Sequence, residues 1–148
     1  MAATPRRLVE RFYHEVWNNA DEAVARDILH AGFRFRGSLG PERTGPDGFI
    51  DYMCSVHAAL ADYRCIIDDL IEGDGRVAAR MRFTGIHRGP LLGVAATGRR
   101  ITWSGAAFFT MDHCRITELW VLGDIDAVKR QLDAEAARGI YDGTAEGA

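Results

Sequence analysis

Glu118, Trp120 and Asp124 fall on one side of the last strand-like segment if its alternation runs unbroken, which would leave Asp124 at the strand's end. A carboxyl group beside an indole and away from water gives up its proton less readily, and that suits it to carry protons near neutral pH. The same Asp124, or Asp126, could instead cap the helix that follows. Glu118 reads as structural, paired with an arginine. His87 ends another strand on the inward parity, just before Arg88-Gly89-Pro90, where it could bind a ligand carbonyl or exchange a proton with Asp124. The alternative for His87 is a rim histidine satisfied by its neighbours. His57 follows Met53 by one turn on an apolar helix face, where packed histidines are the commoner outcome. His14, His30 and His113 read as surface or turn residues.

Arg34 and Arg36 flank Phe35, and either could point inward to hold an anionic or enolate oxygen, or lie along a solvated edge. Tyr13, Trp17, Phe49, Met53, Trp103 and Trp120 are candidates for the walls of an apolar pocket; Tyr13, Trp17, Trp103 and Phe109 fit a plain core equally well. Such flat, bulky side chains favour a ring-containing ligand. Several familiar sites are missing: no G-x-G-x-x-G after a strand, no P-loop, no H-E-x-x-H helix, no calcium loop and no G-x-S-x-G elbow. No cofactor and no metal is therefore expected.

The elements that must position these residues follow from periodicity. Thr4-Pro5 opens a helix carrying Leu8, Val9, Phe12, Tyr13, Val16 and Trp17 at helical spacing. Asp21 caps a second, with Val24, Ile28 and Leu29, ending near Gly32. Phe33-Arg34-Phe35-Arg36 alternates as a short strand, and the glycine- and proline-rich stretch from Gly37 to Pro46 is a loop that opens a third helix reaching about Leu60. Strands then occupy Tyr63–Glu72, Arg76–His87, Arg100–Met111 and Arg115–Gly123, the first two joined by a turn at Gly73-Asp74-Gly75. A closing helix runs from Asp126 to about Ala137. Helices first, then antiparallel strands, then a helix is an α+β order, with Val77, Ala79, Met81, Phe83 and His87 on the face toward the helices.

The totals agree. A chain of 148 residues, 47% hydrophobic and 26% charged, is the size and composition of one globular domain. A net charge of −3 without basic blocks points away from nucleic acid and anionic membranes, and toward a small neutral partner. Cys54, Cys65 and Cys114 are odd in number and widely spaced, which fits a reducing cytoplasm better than a disulfide framework. No segment has signal-peptide or membrane-spanning length. Residues 1–138 are read as the domain and 139–148 as a flexible tail.

Arg11-Phe12-Tyr13-His14-Glu15-Val16-Trp17-Asn18, Gly45-Pro46-Asp47-Gly48-Phe49, Gly85-Ile86-His87-Arg88-Gly89, Thr97-Gly98-Arg99-Arg100-Ile101-Thr102-Trp103 and Glu118-Leu119-Trp120-Val121-Leu122-Gly123-Asp124 occur in that order. Together they resemble the SnoaL-like polyketide cyclases of the NTF2-like superfamily. The resemblance implies a conical barrel, a curved antiparallel sheet wrapped around the N-terminal helices, a deep cavity and a homodimer formed through the outer sheet face. It implies cofactor-free cyclase or isomerase chemistry, an aldol closure or proton transfer, with Asp124 as acid/base and His87 near the substrate. Phe33-Arg34-Phe35-Arg36-Gly37 departs from the pattern, since many relatives carry a histidine there, so the substrate stays open. Two alternatives stand beside this one: an epoxide-hydrolase-like enzyme of the same fold, in which Arg36 would bridge two carboxylates, and a non-catalytic small-molecule-binding protein.

Overall fold

Thr4 starts the first helix by accepting the Arg7 amide N–H on its hydroxyl at 3.1 Å, with Pro5 preset in the first turn. In the computed structural model, which describes residues 4–133, α1 spans Pro5–Arg11 and continues as a π-helical segment, Phe12–Trp17. Phe12, Tyr13, Val16 and Trp17 are all buried, so the wider turn presents an almost continuous aromatic surface to the interior. Asp21 caps α2, Glu22–Ile28, by accepting the Val24 N–H at 3.1 Å.

The second helix stops earlier than periodicity suggests. Leu29 is already extended and begins β1, Leu29–Arg36, because it pairs in parallel with Ile116 on the last strand. Long-range pairing here outweighs local helical preference. After the two-residue strand β2, Arg43–Thr44, helix α3 covers Gly45–Ala59 and leads directly into β3, Leu60–Glu72. Strands β4, Arg76–His87, β5, Arg100–Asp112, and β6, Arg115–Gly123, complete the sheet. Helix α4 takes residues 125–133; its expected end near Ala137 and the tail 139–148 lie outside the described residues.

The six strands form one curved, unclosed sheet in the order β2-β1-β6-β5-β4-β3. All neighbours are antiparallel except β1 and β6. Register shifts on β1, at two places on β3 and between Thr110 and Met111 bend the sheet around the helices, as bulges do. The α+β architecture expected from the element order is the one observed.

Alternation fixes what faces inward. On β4, Val77, Ala79, Met81, Phe83 and His87 are buried, as the period of two requires. On β6 the inward residues are Ile116, Leu119 and Val121, so Glu118, Trp120 and Leu122 point the other way. Phe12, Phe33, Phe49 and Phe109 are completely buried, and Phe12 touches both Phe49 and Phe109 at ring-centroid distances of 5.2 and 5.6 Å. This aromatic centre holds α1 and α3 against β5.

Candidate functional site

Tyr13 and Trp17 from the π-helical segment, Tyr52 from α3, Tyr63 from β3 and Trp103 from β5 converge on one cavity, which Leu39 also lines. Its volume is ≈ 30 Å³, and a water needs about 10–15 Å³ of such space, so the cavity as it stands admits one or two waters and no ring. The segment after β1 makes it tight. The Leu39 amide N–H donates to the Tyr52 hydroxyl at 2.9 Å, and a β-carbon on Gly37 would stand 2.5 Å from that oxygen. Glycine is needed at position 37 for this close approach.

The polar groups of the cavity are donors. The Tyr13 hydroxyl and the Trp103 indole nitrogen are buried without a hydrogen-bond partner among the described residues. Burial pushes the pKa of Tyr13 and Tyr63 well above the ordinary phenol range, and that of Tyr52 up to about 12 despite the opposing Leu39 N–H and the nearby Arg43 and Arg36 charges. These hydroxyls therefore stay protonated. Burial pushes the Cys65 thiol up in the same way, which keeps it neutral too. Among the described residues, no carboxylate or imidazole lines the cavity. A neutral, donor-bearing aromatic slot is suited to a carbonyl or enolate oxygen on a flat ligand.

Of the expected wall residues, Tyr13, Trp17 and Trp103 line the cavity; Phe49 and Met53 do not. Both are completely buried in the core behind it. His57 is half-buried, donates through Nε2 to the Trp17 carbonyl at 2.8 Å and stacks on the Trp17 ring at 6.1 Å. It braces a wall residue and is not itself on the wall. Trp120 is 41% exposed on the outer sheet face, where the Arg36 guanidinium lies 5.0 Å from its ring centre. Arg36 also donates to the Val121 carbonyl. The inward Arg36 required by an epoxide-hydrolase-like site is thus absent, and so are the two cavity carboxylates it would bridge.

His87 is completely buried but lies beyond the cavity. Its Nδ1 accepts the Thr97 N–H at 3.2 Å and contacts the Thr97 hydroxyl at 3.0 Å, which ties the end of β4 to the loop before β5. Asp124 corrects another expectation. The parity that joins it to Glu118 and Trp120 is right, but their shared face is the outer one. Its carboxylate is exposed and caps α4, Oδ1 accepting the Ala127 N–H at 3.0 Å. The backbone is nevertheless at the rim, since the Asp124 N–H donates to the Ser104 carbonyl, next to Trp103. Glu118 pairs with Arg34 at 3.2 Å, as a structural role requires.

Tyr52, Tyr63, Ser38 and Leu39 are among the lining residues that sequence reasoning did not single out, with Phe35, Gly37, Phe83, Leu119 and Val121. Tyr52 follows Phe49 by three positions and Tyr63 shares its strand parity with buried Cys65, so both carried a readable signal. Ser38 and Leu39 sit in an irregular segment and carried none.

This combination of a curved, unclosed sheet and inner helices is the ketosteroid-isomerase-like, or NTF2-like, fold. The SnoaL-like polyketide cyclase family model matches residues 7–132, and the chain belongs to that family. Among solved structures, a protein named as a SnoaL-like polyketide cyclase from Jannaschia sp. CCS1 superposes with a TM-score of 0.80 at 21% identity, covering 90% of this chain and 98% of that one. TsrD from Streptomyces laurentii gives 0.77 at 26% identity, with 87% and 94% covered. A Catenulispora acidiphila DSM 44928 protein with a ketosteroid-isomerase-like fold gives 0.72 at 14% identity, with 88% and 94% covered. No curated protein matches the sequence. Family and fold together support a role of cyclase or isomerase type. Among the described residues, no helix is long and apolar enough to cross a membrane, and no cluster of side chains could hold a metal ion.

Proposed function

We propose that the protein is a cofactor-independent cyclase or isomerase acting on a small ring-forming carbonyl compound that enters the aromatic cavity. The observation that carries this reading is the Tyr13 hydroxyl, a protonated donor buried without a partner in the cavity wall. Such a donor, held in apolar surroundings, stabilises negative charge developing on a carbonyl oxygen more than water does. The Asp124 backbone N–H donates to the Ser104 carbonyl, beside the lining residue Trp103. In this reading the Asp124 carboxylate takes the proton from the carbon beside the carbonyl, and the carbanion so formed attacks the second carbonyl. The resulting alkoxide, hydrogen-bonded by Tyr13, then receives the proton back. His87 has no part in this scheme.

The test is α-proton exchange of 2-tetralone in deuterium oxide, followed by proton NMR. Asp124→Asn keeps the cap, since asparagine caps as well as aspartate. Exchange by the variant is expected to fall by about 10² or more with an unchanged melting temperature; exchange at the wild-type rate would remove Asp124 from the chemistry.

One observation favours a second reading: among the described residues, no carboxylate or imidazole lines the cavity itself. A non-catalytic binding protein needs none. Binding of 2-tetralone without any acceleration of exchange would select this reading. For partners, a homodimer through the outer sheet face is supported by the exposure there of Phe108, Trp120 and Leu122.

A further inference from the structure

The Trp103 indole N–H is buried without a partner among the described residues, an arrangement that is costly if nothing ever meets the donor. Its surroundings are specific. A β-carbon on Gly123 would stand 3.2 Å from Trp103 Nε1 and 2.8 Å from Ser38 Oγ. Gly123 is not among the glycines with positive φ, so the backbone does not require glycine there; the space beside the indole and the serine does. Ser38 has only a long bond, 3.4 Å, to the Val121 carbonyl, an oxygen that Arg36 also uses. Its hydroxyl is free to turn toward a better partner.

We propose that Ser38 and Trp103, with Gly123 keeping the space beside them open, form a specificity subsite at the cavity rim for an uncharged acceptor oxygen, a ketone or an ether, on the ligand. The indole N–H donates to that oxygen, and the serine hydroxyl donates a second bond to it. An anionic oxygen gains no charge partner from Arg36, which is already engaged with Trp120 and Val121. Trp103 thereby becomes a polar reader as well as a wall. The inference rests on the cavity being the ligand site, and it adds Ser38 and Gly123 as residues that choose among ligands.

The experiment is a titration of ¹⁵N-labelled protein with cyclohexanone, following the indole N–H resonance of Trp103, assigned with Trp103→Phe. A saturable downfield movement is expected. In Gly123→Ala the apparent Kd should rise about tenfold, equivalent to the loss of one good hydrogen bond. Ser38→Ala, which cannot crowd the fold, should raise it about threefold. A resonance that stays put up to the solubility of cyclohexanone, or that moves equally in both variants, overturns the subsite. So does an indole N–H that cross-relaxes with a long-lived water which cyclohexanone fails to displace, because the group is then satisfied by a resident water only. The wider functional reading fails separately, through undiminished α-proton exchange by Asp124→Asn, whatever the indole resonance does.

Discussion

Asp124 and His57 illustrate how one hydrogen bond determines what a polar side chain can do. Asp124 Oδ1 accepts the Ala127 N–H, so truncation to alanine removes the α4 cap and should cost about 1 kcal/mol in urea denaturation, whereas Asp124→Asn should cost almost nothing. Equal losses in the two variants would mean that charge, and not the cap, matters. His57 acts on Trp17: its Nε2–H holds the Trp17 carbonyl at 2.8 Å while the rings stack. His57→Phe keeps a ring and removes the donor. It should lower stability by about 1 kcal/mol and shift the emission of Trp17, which lines the cavity. Unchanged emission together with unchanged stability would show that the carbonyl needs no such brace.

The segment joining β1 to β2 sets access to the cavity. A volume of ≈ 30 Å³ excludes rings, so a ring-sized ligand requires Leu39 to move outward, and the Tyr52 hydroxyl holds the Leu39 amide. Tyr52→Phe frees that amide. Association of 2-tetralone, measured by stopped-flow tryptophan fluorescence, should accelerate several-fold with little change in dissociation, so that Kd falls by the same factor, as expected when a state that cannot admit the ligand is destabilised. An unaltered association rate would place the entrance elsewhere. The elements around this segment were largely legible in the sequence, and the segment was not. Strand parity on β4 and the caps at Thr4 and Asp21 could be read because they depend on spacing and local hydrogen bonds. The face of β6 could be read only halfway: alternation grouped Glu118, Trp120 and Asp124, but a period of two does not say which group faces inward. That choice was made by Leu119 and Val121, whose apolar side chains belong in the core. Leu29 was misread because its partner, Ile116, is remote in sequence.

At the scale of the molecule, the sheet has two faces with different tasks. The inner face carries the aromatic core and cavity, and the outer face leaves Phe108, Trp120 and Leu122 partly uncovered, with Phe108 and Trp120 in ring contact at 5.8 Å. A second copy of the chain is the proposed cover. Leu122 is 54% exposed, so Leu122→Glu should leave the fold of one chain intact while introducing charge repulsion across the interface. Sedimentation velocity is expected to show a dimer for the wild type and a monomer for the variant; a wild-type monomer at micromolar concentration would end the proposal.

The Val121 carbonyl has a consequence that reaches across this division. From one side it is met by Arg36, which lies over Trp120, and from the other by Ser38 beside the ligand space. A single oxygen thus serves as a junction between the two surfaces of the sheet. If the proposed second copy draws the guanidinium off its indole, that oxygen is left to the serine alone, and the outer contact is then expected to alter the serine's hold on a ligand.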